Sequence, residues 1–440
     1  MKMNEEELEI KQDQEASGKQ PEEQPEEQPV KKKRGISLFT AGLLIGIFLS
    51  WLCMLILFRV QGRQMPYLVN GRSTDKNSVL SKEVQSKIRL LEGSIDQNFI
   101  GEVSDEDLAT GIYKGMVDAT NDRYSEYYTK EEMEKVQESA TGVFYGIGAY
   151  VGIDADTNYP KLTGIMEDTP AEKAGLKAED IIVEVDGEEV RGMELNDVVS
   201  KIKGPRGTDV ELTIFRQGEK DYLHITVTRD KVESPTVTLE MLDGDIAYIV
   251  IRQFETVTVG QFKEKLQEAK DQNAKGILLD LRGNPGGTLD SVVQIARELL
   301  PEGLIVYTED KYGNRNEYKC DGSKKITIPL VVLVNENSAS AAEILSGAIK
   351  DYGIGTLVGK TTFGKGIVQK VFSINDGTAV KLTISHYYTP KGNDIHEVGV
   401  EPDIEVDLDV EKYVDDGIDT QYDKALSVLK DKIKKGEADK

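Results

Sequence analysis

Short apolar runs alternate with stretches of helical spacing between residues 231 and 408, and no other feature of the chain limits its fold as strongly. The predicted strands lie at 246–251, 276–281, 328–334 and 379–384, and the predicted helices lie at 259–270, 291–300 and 341–350. Strands that alternate with helices along a chain build sheets that are covered by helices. The pattern therefore predicts an α/β domain over residues 231–408.

Ser340 and Lys365 stand out in this domain as a candidate nucleophile and a candidate base. Ser340 follows the apolar run at 328–334 and precedes small and apolar residues with the spacing of a buried helix. At such a turn, the unpaired N–H groups of the first helical turn can face a developing oxyanion. Lys365 can accept the serine proton only as a neutral amine, so burial must lower its pKa well below ~10.4. The pair predicts a serine hydrolase that uses lysine in place of histidine.

The chain resembles the C-terminal processing peptidases, also called tail-specific proteases, and the likeness runs from residue 78 to residue 407. Five blocks carry it in order: Asp280-Leu-Arg-Gly-Asn-Pro-Gly-Gly287, Ser338-Ala-Ser340-Ala-Ala, Phe363-Gly-Lys365-Gly, Tyr387-Tyr-Thr-Pro-Lys-Gly392 and Gly399-Val-Glu-Pro-Asp403. The resemblance implies a crotonase-like (ClpP-like) α/β peptidase core with Ser340 as nucleophile, although Ser338 is a rival in the same motif. It also implies that Lys365 is the base.

The resemblance extends to the groups around the pair. Gln369 would orient the lysine amine, but only a helical turn would place it ~6 Å away, whereas an extended strand would place it ~13 Å away. The Ala341 N–H would form one half of the oxyanion hole. A glycine of the Asn-Pro-Gly-Gly block, Gly286 or Gly287, would supply the other half.

A separate β-rich module is predicted over residues 142–230. Its short strands, at 148–153, 161–165, 180–185, 209–215 and 223–228, are broken by Gly, Pro and Asp. The module resembles a PDZ domain through Tyr145-Gly-Ile-Gly-Ala-Tyr-Val, Thr169-Pro-Ala-Glu-Lys-Ala-Gly-Leu and Asp180-Ile-Ile-Val-Glu-Val-Asp-Gly187. Glu179 departs from the pattern, because glycine is usual there and adopts positive φ without strain. The local turn is therefore expected to differ.

The PDZ resemblance implies that the module captures protein or peptide C-termini by strand addition. Backbone N–H groups around Tyr145, Gly146, Ile147 and Gly148 would hold the terminal carboxylate. Apolar side chains in the groove, Ile147 and Val151, would favour an apolar last residue. The alternative is a module that serves only as a spacer or a regulatory lid.

An uncharged apolar run at residues 35–58 is long enough to cross ~30 Å of hydrocarbon. Four basic residues precede it, so the positive-inside rule places the N-terminus in the cytosol and the catalytic domain outside. A cleaved signal peptide is the alternative. We therefore expect a single-pass plasma-membrane protein, with a disordered cytoplasmic tail at 1–34, a transmembrane helix at 35–58 and a linker at 59–77. The two cysteines form no disulfide framework, which fits the envelope of a Gram-positive bacterium.

Two further segments complete the predicted organisation. Residues 78–141 are expected to form an N-terminal helical segment, and residues 409–440 a C-terminal segment that ends in a helix at 422–435 on the protein surface. Nothing in the sequence requires a metal or organic cofactor, and the three histidines are too scattered for a Ser-His-Asp triad. The formal net charge of -24 argues against nucleic acid as a partner.

The whole pattern predicts a membrane-anchored serine endopeptidase that binds substrate C-termini through its PDZ module. A non-catalytic PDZ scaffold that binds protein C-termini is the main alternative. A crotonase-like enzyme acting on a thioester would share the core architecture but would leave the PDZ module and Lys365 unexplained. The sequence leaves open whether a second copy of the chain or a regulatory partner takes part.

Overall fold

The structure is a computed structural model, which describes residues 79–436. The described residues divide into two compact units, with the division between Gly101 and Glu102. In the first unit, helix α1 (Lys82–Asn98) begins after Ser81, whose hydroxyl accepts a hydrogen bond from an N–H of the first turn. No helix within residues 79–436 is both long and apolar enough to span a bilayer. The tail at 1–34, the transmembrane run at 35–58 and the linker at 59–77 all lie outside the described residues.

The second unit begins with helix α2 (Asp105–Asp118), strand β1 (Glu126–Tyr128) and helix α3 (Lys130–Thr141). Each helix starts with a capping box, in which a Ser or Thr hydroxyl and an acidic side chain three residues later satisfy each other's backbone N–H groups. The predicted helical segment at 78–141 is therefore helical, but the boundary between the two units falls inside it. It also contains the unpredicted strand β1, which pairs with residues 379–381 of the α/β domain.

A β-rich module follows, close to the predicted range. Its elements are β2 (Val143–Gly146), β3 (Ala149–Ile153), β4 (Pro160–Ile165), α4 (Pro170–Lys173), β5 (Ile181–Val185), β6 (Glu188–Glu189), α5 (Leu195–Ile202), β7 (Asp209–Phe215), β8 (Leu223–Thr228) and β9 (Asp230–Glu233). The main sheet has the order β3-β4-β5-β7-β8, with β6 beside β5, while β2 pairs with β9. Alternate residues of β7, Val210, Leu212 and Ile214, are buried together with Val198 and Ile202 of α5, which forms the core of the module.

Glu179 shows how the module tolerates its departure from the PDZ pattern. Its φ of 71° is the left-handed conformation that glycine would adopt there without strain. Its carboxylate lies 3.0 Å from the Lys161 amine. The expected change of the turn is therefore not needed, because Glu179 itself takes the strained conformation, which costs of order 1–3 kcal/mol.

The α/β domain is confirmed. Its elements are β10 (Val237–Leu242), β11 (Ile246–Ile251), α6 (Thr256–Asp271), β12 (Gly276–Asp280), α7 (Leu289–Ala296), β13 (Glu302–Asp310), β14 (Arg315–Asp321), β15 (Leu330–Val334), α8 (Ala341–Tyr352), β16 (Thr356–Gly359), β17 (Ile367–Ser373), β18 (Ala379–Tyr388) and β19 (Ile404–Glu405). The central sheet has the order β10-β11-β12-β15-β16-β19 and is parallel except for β10. Because β12 and β15 are parallel neighbours, the loops that follow them leave the same edge of the sheet.

A second sheet positions the segment that contains Lys365. Its order is β1-β18-β13-β14, with β17 also paired to β18. The sequence pattern predicted most of β18 but neither the β13–β14 hairpin nor β17. Lys365 lies just before β17, so this unpredicted strand determines where the lysine enters the site.

The C-terminal segment forms helices α9 (Val410–Asp416) and α10 (Thr420–Lys435). Most residues of α10 are at least partly exposed, but one face of the helix is not, because Ala425 and Leu429 are fully buried against Leu278 and Leu333 of the central sheet. Apolar residues at helical spacing stand among the many charged residues of this segment, so its buried face was not evident from the sequence. Asp419, which caps α10, also accepts a hydrogen bond of 2.8 Å from Arg282, so the helix is tied to the loop after β12.

Glu255 is buried where the PDZ module joins the α/β domain. It caps α6, packs against Gly142 at the start of the module, and is 8% exposed. Its Oε2 atom has no hydrogen-bond partner among residues 79–436. Burial raises the pKa of Glu255 above its ordinary value of 4.5.

We expect the Glu255→Gln variant to be more stable than the parent at pH 7, by about 1 kcal/mol. A carboxyl group whose pKa is raised by folding binds more protons in the folded state, so its destabilising effect grows as the pH rises above 4.5. Thermal unfolding at several pH values tests this, and the gain should vanish near pH 4. The matched control is Glu264→Gln, because the Glu264 side chain on α6 is 73% exposed. An equal stability of parent and variant at pH 7 would contradict the expectation.

Candidate active site

Ser340 lies at the turn between β15 and α8, as the sequence predicted. Its φ of 54° and ψ of −112° are rare for a residue with a side chain and turn the chain sharply. The Ser340 N–H donates to Glu343 Oε2 (2.7 Å), and its carbonyl accepts from the Ile344 N–H (3.0 Å) and the Tyr387 hydroxyl (3.0 Å). These bonds hold a partly exposed serine side chain in a strained turn.

Ser338, the rival nucleophile, has a structural role. Its side chain is fully buried. Its hydroxyl donates to the Leu281 carbonyl (2.8 Å) and accepts from the Asn335 N–H (2.9 Å). The Ser338 hydroxyl therefore links the loops that follow β12 and β15. Because it is buried and hydrogen-bonded, it is not accessible to a substrate.

The two candidate glycines lie beside Ser340. Gly286 has a φ of 106°, and a Cβ atom placed on it would lie 2.7 Å from the Ser340 Cβ, so only glycine lets the loop come this close. The Gly286 N–H donates to Asn284 Oδ1 (2.8 Å) and is therefore engaged. Gly287 is exposed, and neither its N–H nor that of Ala341 donates a hydrogen bond to any residue that the structure describes.

Asn284 holds this loop and was not recognised from the sequence. Its side chain is fully buried, and Nδ2 donates to the Ile251 carbonyl (2.8 Å) while Oδ1 accepts from Gly286. Its own carbonyl accepts from the Ala339 N–H (2.9 Å), next to Ser340. An Asn before Pro-Gly-Gly is a turn signal that could have identified it.

Lys365 reaches the site from the segment between β16 and β17. Its side chain is partly buried, and burial lowers the pKa of Lys365, with the positive charges of Lys381 and Arg123 lowering it further. The carboxylates of Asp122 and Glu343 act in the opposite direction. Such an environment makes the neutral amine, which a general base requires, easier to form than in an exposed lysine.

The lysine amine and the serine hydroxyl are not hydrogen-bonded to each other in this conformation. Over residues 79–436, no hydrogen bond joins the Lys365 amine to the Ser340 hydroxyl. Instead, Lys365 Nζ lies 4.7 Å from the centroid of the Tyr124 ring. The structure thus brings both residues to one site, with the lysine amine turned toward an aromatic ring.

Gln369 makes no hydrogen bond to Lys365 in this structure. It lies on β17, at a β-bulge after Val368, and not on a helical turn. Its side-chain amide lies 3.5 Å from the Thr383 hydroxyl, and within the described part of the chain it makes no hydrogen bond to Lys365. The extended backbone explains the difference, because four residues along a strand span ~13 Å.

Glu343 joins the serine and the lysine and was missed at the sequence level. Its fully buried carboxylate accepts from four donors: Ser340 N–H (2.7 Å), Lys365 N–H (2.9 Å), Gly364 N–H (2.6 Å) and Thr362 Oγ1 (2.6 Å). A glutamate three residues after a serine at a helix start is a capping-box signal. That signal predicts the bond to Ser340, but the three bonds to residues 362–365 come from the tertiary fold.

Tyr387 makes a second connection between the same two residues. Its buried hydroxyl donates to the Ser340 carbonyl (3.0 Å) and also lies against the Lys365 carbonyl. Burial raises the pKa of Tyr387, so the phenol stays protonated and remains a donor. The backbones of Ser340 and Lys365 are therefore fixed to each other at two points.

The candidate peptide-binding residues occupy the start of the PDZ module. Tyr145 and Gly146 lie on β2 and pair with β9, so their backbone belongs to a sheet. The Ile147 side chain is 3% exposed and packs in the module core, so its role in the groove stays a prediction. The Ile147 and Gly148 N–H groups donate to no described residue, and Val151 on β3 is only partly buried.

Comparisons with known proteins identify the family. Residues 245–406 match the model of peptidase family S41, and residues 162–216 match that of the PDZ domain. The carboxy-terminal processing protease CtpA of Bacillus subtilis (strain 168) is 33% identical over 359 residues, which cover 81% of this chain and 76% of that protein. The carboxyl-terminal-processing protease of Synechocystis sp. is 34% identical over 320 residues, covering 71% and 75%.

A solved photosystem II D1 C-terminal processing protease is 31% identical to the chain. The alignment covers 72% of this chain and 86% of that one, with a TM-score of 0.43. The identity and coverage shared with the Bacillus protein are enough to assign the family. The chain therefore belongs to the carboxy-terminal processing proteases, the serine-type peptidases of family S41 that carry a PDZ domain.

Proposed function

We propose that the chain hydrolyses peptide bonds with Ser340 as nucleophile and Lys365 as general base. The observation that carries the proposal is the buried Glu343 carboxylate, which accepts from the backbone N–H groups of both residues at 2.7 and 2.9 Å. A carboxylate that binds both backbones holds the backbone of the nucleophile and that of the base at a fixed separation. The lowered pKa of Lys365 supports the role of this residue as a base.

The reaction follows from these roles. Lys365 takes the proton of the Ser340 hydroxyl while Oγ attacks the scissile carbonyl carbon, and the resulting ammonium then protonates the leaving amine. Water hydrolyses the acyl-enzyme with Lys365 again as the base. The Lys365 side chain must first move from the Tyr124 ring toward Ser340. Gln369 would have to act in that second position, because it makes no hydrogen bond to the lysine in the first.

The oxyanion of each tetrahedral intermediate would be held by the N–H groups of Ala341 and Gly287. Both lack an acceptor among the described residues, and the Ala341 N–H belongs to the first turn of α8, where the helix dipole favours negative charge. Gly286 is the weaker candidate because Asn284 already accepts from its N–H. Gly286 instead gives the loop its close approach to Ser340.

The PDZ domain would select substrates by their free C-termini. The Ile147 and Gly148 N–H groups lie on the loop between β2 and β3 and are available to a carboxylate. The apolar run at 35–58, with basic residues before it, supports a single-pass plasma-membrane anchor with the peptidase outside a Gram-positive cell. A scaffold without catalysis is less well supported, since it would have no use for the strained Ser340 turn.

A reporter protein with an apolar C-terminal tail tests this function. The parent enzyme should cleave it, and amidation of the tail should lower kcat/KM about 10- to 100-fold, since a charge-assisted contact contributes about 1.5–3 kcal/mol. The control is the Ser340→Ala variant, which should bind the tail but not cleave the reporter. Equal cleavage of free and amidated tails would refute recognition of the carboxylate, and tail binding without cleavage by the parent would favour the scaffold.

A further inference from the structure

The turn at residues 121–125, called here the Tyr124 turn, brings an aromatic ring to the catalytic lysine. Lys365 Nζ lies 4.7 Å from the centroid of the Tyr124 ring, within the range of a cation–π contact. Arg123 lies at the same distance from that ring and also 5.8 Å from the ring of Phe363, two residues before the lysine. The N-terminal segment therefore forms one wall of the space around the base.

Hydrogen bonds fix the conformation of the Tyr124 turn and tie it to the second sheet. The Asp122 carboxylate accepts from the Tyr124 N–H (3.1 Å) and from the Ser125 hydroxyl (2.6 Å). The Ser125 hydroxyl in turn accepts from the Thr383 N–H (3.2 Å) of β18, and β1 continues the chain as a neighbour of that strand. The backbone that carries the ring is thus fixed to β18, and β18 pairs with β17, the strand that follows Lys365.

The contact has a chemical consequence for the base. The face of an aromatic ring attracts an ammonium but not a neutral amine. A lysine on that face is therefore favoured in the protonated form, which cannot accept the Ser340 proton. Moreover, the lysine in this position makes no hydrogen bond to Ser340 within the described residues.

We propose that Tyr124 acts as a latch, holding Lys365 as an ammonium away from Ser340 in the resting enzyme and releasing it when the dyad acts. The inference rests on the proposed roles of Ser340 and Lys365 and adds the regulation of their site. Tyr124 is a positioning residue, because it takes no part in proton transfer or bond formation and acts only through the position of Lys365. The other charged groups that face Lys365 are Lys381 and Arg123, which disfavour the ammonium, and Asp122 and Glu343, which favour it.

The strength of a cation–π contact sets the expected effect. Loss of the ring should increase the population of unlatched lysine about 2- to 30-fold. It should also shift the acidic limb of the pH–rate profile to lower pH, because the ring no longer stabilises the protonated amine. A purely structural role for Tyr124 would lower the rate and leave the inflection of this profile unchanged.

The test is the rate at which a small fluorophosphonate ester labels Ser340 in the purified full chain, from about pH 6 to about pH 10. In this reaction a bond forms between Oγ and phosphorus, fluoride leaves, and Lys365 takes the proton. The probe needs no PDZ domain, so it reports the dyad alone. The variants are Tyr124→Leu and Tyr124→Met, which both remove the ring, and Tyr124→Phe, which retains the aromatic face.

We expect Tyr124→Leu and Tyr124→Met to label about 2- to 30-fold faster than the parent with a lower inflection pH, and Tyr124→Phe to match the parent. The control is Tyr312→Leu, since Tyr312 also contacts a lysine (Lys311 Nζ, 5.1 Å) but lies on the β13–β14 hairpin. A rate at or below that of the parent in both ring-less variants, with an unchanged inflection, overturns the latch. A parent that labels no faster than its Lys365→Met variant would instead overturn the proposed dyad.

Discussion

Replacing Lys365 with methionine is expected to lower kcat/KM for reporter cleavage by about 10²- to 10⁴-fold, the contribution typical of a general base. Methionine keeps much of the apolar length of the side chain but has no amine to accept the Ser340 proton. Lys365→Arg should be equally inactive, because a guanidinium does not lose its proton in proteins. The cleavage assay of the parent and both variants measures the effect.

The control for this prediction is Lys370→Met on β17, an exposed lysine that should be replaceable without loss of cleavage. The parent should also gain activity as the pH rises through the pKa of Lys365, which burial lowers, because only the neutral amine acts as a base. Lys365→Met should lose that rise in activity. Cleavage by Lys365→Met within tenfold of the parent would show that another group acts as the base.

The second large effect is expected at Glu343, where Glu343→Ala should lower both stability and activity. The substitution leaves four donors without an acceptor in a fully buried site, and each unpaired group costs about 1–3 kcal/mol, so a loss of about 3 kcal/mol or more is expected. The Ser340 turn and the Lys365 backbone would also lose their common acceptor. A displacement near 1 Å can lower the rate about 10²-fold. Denaturant unfolding and reporter cleavage measure the two effects.

Glu336→Gln provides the matched control for Glu343, because this nearby glutamate is exposed and its loss should change neither quantity. Ser340→Ala is the second control, because it should abolish cleavage with little loss of stability. The Glu343 account is contradicted if Glu343→Ala unfolds like the parent, or if it loses stability while its kcat/KM stays unchanged.

The sequence predicted those parts of the site that depend on residues close together in the chain. The apolar run before Ser340 and the small residues after it predict β15, the turn and α8, and these are observed. Such signals work because burial and backbone conformation act on neighbouring residues.

The parts that could not be predicted depend on residues that are distant in the chain. Tyr124 meets Lys365 only because β1 joins β18, and no local pattern encodes that pairing. The backbone conformation at Gln369 could not be predicted, because the strand that contains it is partly polar and shows no clear strand pattern. The buried face of α10 was hidden because apolar residues at helical spacing stand among many charges.

The identity of the labelled serine tests the central claim most directly. After treatment of the full chain with a fluorophosphonate ester, mass mapping of its peptides should find one adduct, on Ser340, and only a trace of it in the Lys365→Met variant. An adduct on Ser338, or equal labelling of Ser340 in the parent and in Lys365→Met, would contradict the proposed serine–lysine dyad.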